Sequence, residues 1–238
     1  MNTESKILFL MFHKVISKSE QIKSDYDIEF ETFKSLTHKI YETNINKKKN
    51  NHIVVPTFDD GNKSDLICAE YLAKYKIKGI FFVIVDKINQ KGYLTEQDII
   101  KINNLGHFIG SHTMSHLVCP KSKSNIVFKE LTDSKKFLED LLKKECEHFA
   151  FPGGLYSKRD LLLAKKANFK YIFSTFEKLP SKINITKANT RLHVRQSTLQ
   201  DFDSIMKIDK YYYFMRYIRS LTKEIRDIIK FKTLIPNQ

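Results

Sequence analysis

Short runs rich in β-branched and aromatic residues alternate along the chain with longer stretches whose apolar positions recur at helical spacing. The strand-like runs are KILFLMF, IVVPTF, GIFFVIV, GHFIGS, HFAFP, YIFST and TRLHV. Helix-like segments near 28–41, 64–75, 95–104, 125–144 and 158–167 separate most of them. This βα alternation predicts a parallel sheet or barrel. Strands apolar on both faces favour closure, so the expected fold is α/β, an irregular (β/α) barrel of about seven parallel strands. NINKKKNN at 44–51 is a polar connection into the second strand. After about residue 200 the pattern becomes one amphipathic helix, IDKYYYFMRYIRSLTKEIRDIIKFK, stopped by Pro236. Two units are therefore expected: a barrel domain over 1–200 and a C-terminal helical extension over 201–238.

A chain of 238 residues is long enough for one domain with a substantial core. Its longest apolar runs, Ile7 to Phe12 and Gly79 to Val85, are too short to span a bilayer. The start MNTESKILFLMFHKV reads as a first strand rather than a signal peptide, which leads to the expectation of a cytoplasmic protein. Cys68, Cys119 and Cys146 contain no CxxC pair and are expected to be buried, reduced fillers. A net charge of +14 raises the question of polyanions, but only six of the 41 basic residues are Arg. Guanidinium is the group suited to bidentate phosphate and base-edge contacts, so a solvated lysine surface is expected and no specific nucleic acid.

Candidate chemistry lies just after the strands, where barrel enzymes place reactive groups. Strand one ends in His13, the second in Asp59-Asp60-Gly61, the fourth in Ser111-His112-Thr113-Met114-Ser115-His116 and the fifth in Pro152-Gly153-Gly154. Of only seven glycines, Gly61, Gly110, Gly153 and Gly154 lie in or against these segments, as sharp turns and close ligand approach require. One carboxylate and two imidazoles make a facial ligand set that leaves coordination positions open. The spacing of HTMSH allows one turn of chain to present both rings to one ion. By itself HxxxH is a weak signal, and adjacent aspartates more often cap helices or line turns.

Together, TFDDG and SHTMSH closely resemble two defining motifs of the polysaccharide deacetylase family, also called carbohydrate esterase family 4, which includes chitin, chitooligosaccharide and peptidoglycan deacetylases. The resemblance covers about residues 6–195. It implies that Asp59 is the catalytic base and that Asp60, His112 and His116 hold a divalent metal, zinc first, with nickel, cobalt or iron as alternatives. FAFPGG resembles the third motif, Arg-x-Pro-Tyr/Gly-Gly, and implies that the Gly153 N–H, beside Pro152 and Gly154, binds the oxyanion. This chain departs from that motif, because Ala150 stands where the family's arginine orients the base. Arg191 is the candidate substitute, and a plain salt bridge at the barrel rim is the competing reading.

The family's last motif places an acid histidine after the final strand, which here points to His193 in TRLHVRQST. LMFHKV instead resembles the Tyr-His-x-Val opening of a circularly permuted subgroup, including deacetylases of poly-N-acetylglucosamine, and points to His13. A closed barrel makes first and last strands neighbours, so either ring can reach the same point. His13 is preferred because it terminates its strand, whereas His193 is read as mid-strand. His38, His52, His107 and His148 are read as structural.

The implied reaction is metal-assisted hydrolysis of the N-acetyl or N-formyl amide of an amino sugar, with His13, as imidazolium, protonating the amine. An expected cytoplasmic location suggests an intermediate of surface glycan biosynthesis. The alternative class is a non-catalytic carbohydrate- or polyanion-binding domain on the same fold. In residues 209–232, Arg216, Arg219, Lys223, Arg226 and Lys230 form a basic stripe beside an apolar one. A terminal helix packed on the barrel explains this pattern, and so does peripheral contact with an anionic membrane at its inner face.

Overall fold

The computed structural model describes residues 6–46, 52–175 and 183–208. The β-rich apolar runs form a closed, all-parallel barrel, and each is covered on both faces as its continuous apolar pattern requires. Its strands, in barrel order, are β1 (Lys6–Phe12), β4 (His52–Phe58), β5 (Ile80–Val83), β6 (Phe108–Ser111), β7 (His148–Ala150), β8 (Tyr171–Ser174) and β9 (Asn189–His193). β1 aligns with β4 from Lys6 opposite His52 to Phe12 opposite Phe58. On its other side Phe9 pairs with Arg191 and Met11 with His193, which closes the barrel. Two short parallel strands, β2 (Lys14–Ile16) and β3 (Asp27–Glu29), form a small separate sheet that was not expected.

The helices are α1 (Phe30–Ile45), α2 (Asp65–Lys74), α3 (Glu96–Asn104), α4 (Ser124–Leu142), α5 (Lys158–Lys166) and the short α6 (Phe202–Met206). Thr95 and Ser157 start α3 and α5 through reciprocal capping boxes with Asp98 and Asp160. α6 lies beside α1, tied by Lys39 to Asp203 at 2.5 Å. The basic stripe of 209–232 lies outside the described residues. Among the described residues, no helix is long and apolar enough to cross a membrane.

Side-chain alternation along the strands splits the core in two. Leu8, Leu10 and Phe12 of β1 join the large cluster shared with the helices. Phe9, Ile80, Phe82, Ala150 and Phe173 form the separate filling of the barrel interior. Gly110 makes that filling possible, because a Cβ there would meet the Phe82 ring at 2.6 Å. Aromatic rings thus fill the middle of the interior, and the carboxylates of Asp59 and Asp60 lie above them, at the carboxyl ends of the strands.

His13 directly follows β1, as expected, but the expectation that His193 sits mid-strand needs correction. β9 stops at His193 itself, and His13 is the single residue between β1 and β2. Both rings therefore stand at the same end of adjacent strands.

Candidate active site

Asp59 is the first residue past β4, and its N–H extends the β1 pairing by donating to the Phe12 carbonyl at 3.0 Å. The chain then turns through Asp60 and Gly61, at φ 78° and 72°, so that adjacent carboxylates face different partners. Asp59 is buried, and Arg191 meets it bidentately: Nη1 to Oδ1 at 2.5 Å and Nη2 to Oδ2 at 2.9 Å. Arg191 is itself 1% exposed, which excludes the reading of a rim salt bridge. Its guanidinium lies 4.9 Å from the Phe82 ring centroid, and it donates to Thr57 Oγ1 and the Ser174 carbonyl, each at 3.4 Å. Ala150 is buried in the aromatic filling below. The position where the resemblance expects an arginine is therefore apolar, and the cation reaches the carboxylate from β9.

His112 follows β6, with its N–H on the Val83 carbonyl at 2.9 Å. Nδ1 lies 2.8 Å from the Ala150 carbonyl, an acceptor only, so Nδ1 carries the hydrogen and Nε2 keeps its lone pair. Nε2 lies 3.6 Å from Asp60 Oδ1, and His116 Nε2 lies 3.5 Å from the same oxygen. Four-residue spacing does not here mean a helical turn. The two imidazoles sit on a loop in which Thr113 and His116 adopt left-handed φ of 66° and 65°.

Ligand atoms of Asp60, His112 and His116 all lie within 4.8 Å of one another. Around a tetrahedral ion with bonds of about 2.1 Å, neighbouring ligand atoms stand about 3.4 Å apart. The donor set and its spacing fit a divalent cation. Burial holds the His112 imidazole down to about 4, leaving it neutral at pH 7 as a ligand must be. Burial and then the neighbouring Asp59 charge raise Asp60, a cost that a bound cation offsets. Burial also pushes Asp59 upward, but the Arg191 charge, then His112 and the guanidinium hydrogen bonds, outweigh it and hold this carboxyl well below its ordinary range.

His13 and His193 stand with ring centroids 6.0 Å apart and planes within 4° of parallel. Tyr26, from the loop before β3, leans on both at 4.6 and 5.5 Å, and the Arg195 guanidinium covers Tyr26 at 5.0 Å. Both Nδ1 atoms are buried without a hydrogen-bond partner among the described residues. Burial lowers His13 despite Asp59 and Asp60, and burial with Arg195 takes His193 well below the usual range. Burial thus favours the neutral form of both rings, and the negative charges of Asp59 and Asp60 oppose it at His13. Tyr26 and Arg195 were not anticipated, because a lone tyrosine in the polar stretch SKSEQIKSDYD carries no periodic signal.

Pro152, Gly153 and Gly154 form a 3-10 turn just past β7, with Gly153 at φ 63° and Gly154 at φ 71°. The Gly154 N–H closes the turn on the Phe151 carbonyl at 2.8 Å, and a Cβ at this residue would collide with the Thr175 side chain. A Cβ at Gly153 would meet nothing within 4 Å, so this backbone borders open space.

A closed parallel barrel with carboxylates and imidazoles converging at its carboxyl ends has the form of a barrel hydrolase. The polysaccharide deacetylase profile matches residues 46–172, more than half of the chain, and the chain belongs to that family. A peptidoglycan-N-acetylglucosamine deacetylase of Bacillus cereus is 30% identical over 133 residues, 55% of this chain and 60% of its own length. A poly-beta-1,6-N-acetyl-D-glucosamine N-deacetylase of Staphylococcus aureus is 27% identical over 123 residues, 45% of this chain and 42% of its own. The chain thus spans 60% or less of the length of these curated relatives. The Streptococcus pyogenes deacetylase PplD in complex with acetate superposes with a TM-score of 0.72 at 20% identity, covering 84% of this chain and 98% of that one. At that identity the likeness is one of fold.

Proposed function

We propose that this chain is a metal-dependent N-deacetylase of an N-acetylated amino sugar. The observation that carries the reading is the buried Asp59, fixed by Arg191, directly beside the Asp60, His112 and His116 donor set. The chemistry supplied by a divalent ion, zinc first and nickel, cobalt or iron as alternatives, is Lewis acidity towards water and the acyl carbonyl. Arg191 favours the ionised form of Asp59, which keeps free lone pairs beside its two bonds to the guanidinium, so it takes the proton of the attacking water. The Gly153 N–H donates to the acyl oxygen as charge grows there, a contact of the kind worth a few kcal/mol in such sites. That negative charge favours the protonated form of His13, which takes a proton from solvent and passes it to the departing amine, while Asp59 releases the water's proton to solvent as the site resets. Tyr26 keeps the His13 ring in place.

The relatives named for peptidoglycan N-acetylglucosamine and for poly-N-acetylglucosamine support an N-acetylhexosamine unit. Within that class we favour an intermediate of surface glycan biosynthesis, with N-formyl as the other acyl group. The basic stripe of 209–232 supports, from sequence alone, a contact with an anionic membrane that would bring the site to a lipid-linked sugar.

The test is metal analysis of the purified chain together with acetate and formate release from a panel of N-acylated amino sugars and their oligomers. One divalent ion per chain and acetate release are expected, both lost in His116→Ala, with His13→Ala slower than His193→Ala. A metal-free or fully inactive wild-type chain would overturn the reading.

A further inference from the structure

His116 is the half-exposed member of the donor set, with 41% of its side chain accessible, and it sits on a loop whose backbone is unfavourable by itself. Thr113, a β-branched residue, and His116 both lie in the left-handed region, where a Cβ crowds the following carbonyl. Such a loop persists only where its surroundings over-determine it.

Part of that support is local. Thr113 N–H donates to Ser111 Oγ at 3.1 Å, and Leu117 N–H to Thr113 Oγ1 at 3.0 Å. The rest comes from one face of α4. Glu130 accepts from Ser115 N–H through Oε2 at 2.9 Å and from Ser115 Oγ through Oε1 at 2.8 Å. One turn further along, Ser134 is fully buried and its hydroxyl lies 2.7 Å from Ser111 Oγ, at the start of the same loop. The helix thus grips the ligand loop at its root and at the residue directly before His116.

We infer that Glu130 is a positioning residue for the metal ligand His116, acting through a two-pronged clamp on Ser115. The inference rests on the metal site proposed above. A carboxylate is suited to the task because its two oxygens receive the backbone N–H and the hydroxyl of one residue together, fixing translation and rotation of the peptide that leads into the ligand. Glutamine fits the same geometry, with Oε1 accepting from the N–H and its amide donating to the hydroxyl oxygen. Alanine leaves the loop to its own strained preference.

The experiment measures zinc affinity by competition with a chelating dye for wild type, Glu130→Ala, Glu130→Gln and Ser115→Ala, alongside thermal unfolding of each metal-free chain. Glu130→Ala is expected to weaken zinc binding by about ten- to a hundredfold, the usual effect of losing an outer partner of a ligand. Its metal-free unfolding midpoint should stay close to that of wild type. Ser115→Ala, which keeps the N–H bond, should show a smaller loss, and Glu130→Gln should recover most of the affinity. Wild-type zinc affinity in Glu130→Ala overturns the inference alone. So does a Gln variant as weak as Ala, which would make the effect one of charge, or an affinity loss matched by an equal loss of metal-free stability. A wild-type chain that binds no zinc overturns the site reading and this inference together.

Discussion

Histidines stand at both ends of the barrel, and their surroundings could hardly differ more. At the amino ends of the strands, His107 accepts from the Gly79 N–H at 3.1 Å, and its other nitrogen lies 2.9 Å from the Ala69 carbonyl. His148 is packed among Tyr171, Phe108 and Phe173. At the carboxyl ends, His112 uses Nδ1 to fix its ring and leaves Nε2 beside Asp60, while His13 and His193 hold Nδ1 atoms without partners among the described residues. The same side chain is a packed ring or a bonded spacer at one end and an offered lone pair at the other. What distinguishes the ends is convergence with carboxylates where strand ends open into loops, and not the residue type.

The largest effect expected at the carboxyl end comes from Arg191→Met. Removing the guanidinium strands the Asp59 charge in the barrel, a loss of about 3–5 kcal/mol in denaturant unfolding, and adding Asp59→Asn should recover much of it. A variant as stable as wild type would show that the pair contributes orientation alone. The pair also sets an acid limb. Asp59 is held below its unfolded value of about 3.9, so its contribution is complete above that pH and is lost as the pH falls towards the lower folded value.

Asp59→Asn alone should retain bound zinc while deacetylation falls by about a hundredfold, near 2.7 kcal/mol of barrel-site chemistry. Unchanged turnover would remove Asp59 from the proton transfer, and loss of zinc would make it a ligand instead.

The smallest effect belongs to the other end. Burial holds His148 down to about 4, so between an unfolded value of about 6.5 and that value the unfolded chain takes a proton the folded one refuses. Stability therefore falls as the pH drops through this window. His148→Phe should flatten the fall by about 2 kcal/mol at pH 5 and leave deacetylation at neutral pH unchanged. A matching loss of activity would erase the distinction between the two ends.

Strand and helix order, and the candidate residues at strand ends, were legible because burial on both faces forces continuous apolar runs, while Asp-Asp-Gly and His-x-x-x-His interrupt them. The local sequence alone determined that a carboxylate pair, two imidazoles and a Pro-Gly-Gly turn follow the second, fourth and fifth barrel strands, since carboxylates and imidazoles are costly to bury unpaired in an apolar interior. Only the closed barrel decided that Arg191, 132 residues from Asp59, meets it in place of an arginine at Ala150. Closure likewise brought His13 and His193 face to face and laid Tyr26 across them. Such pairings follow from strand register and from which side chains share one end of the barrel, and register is a property of neighbouring strands that no single run of sequence contains.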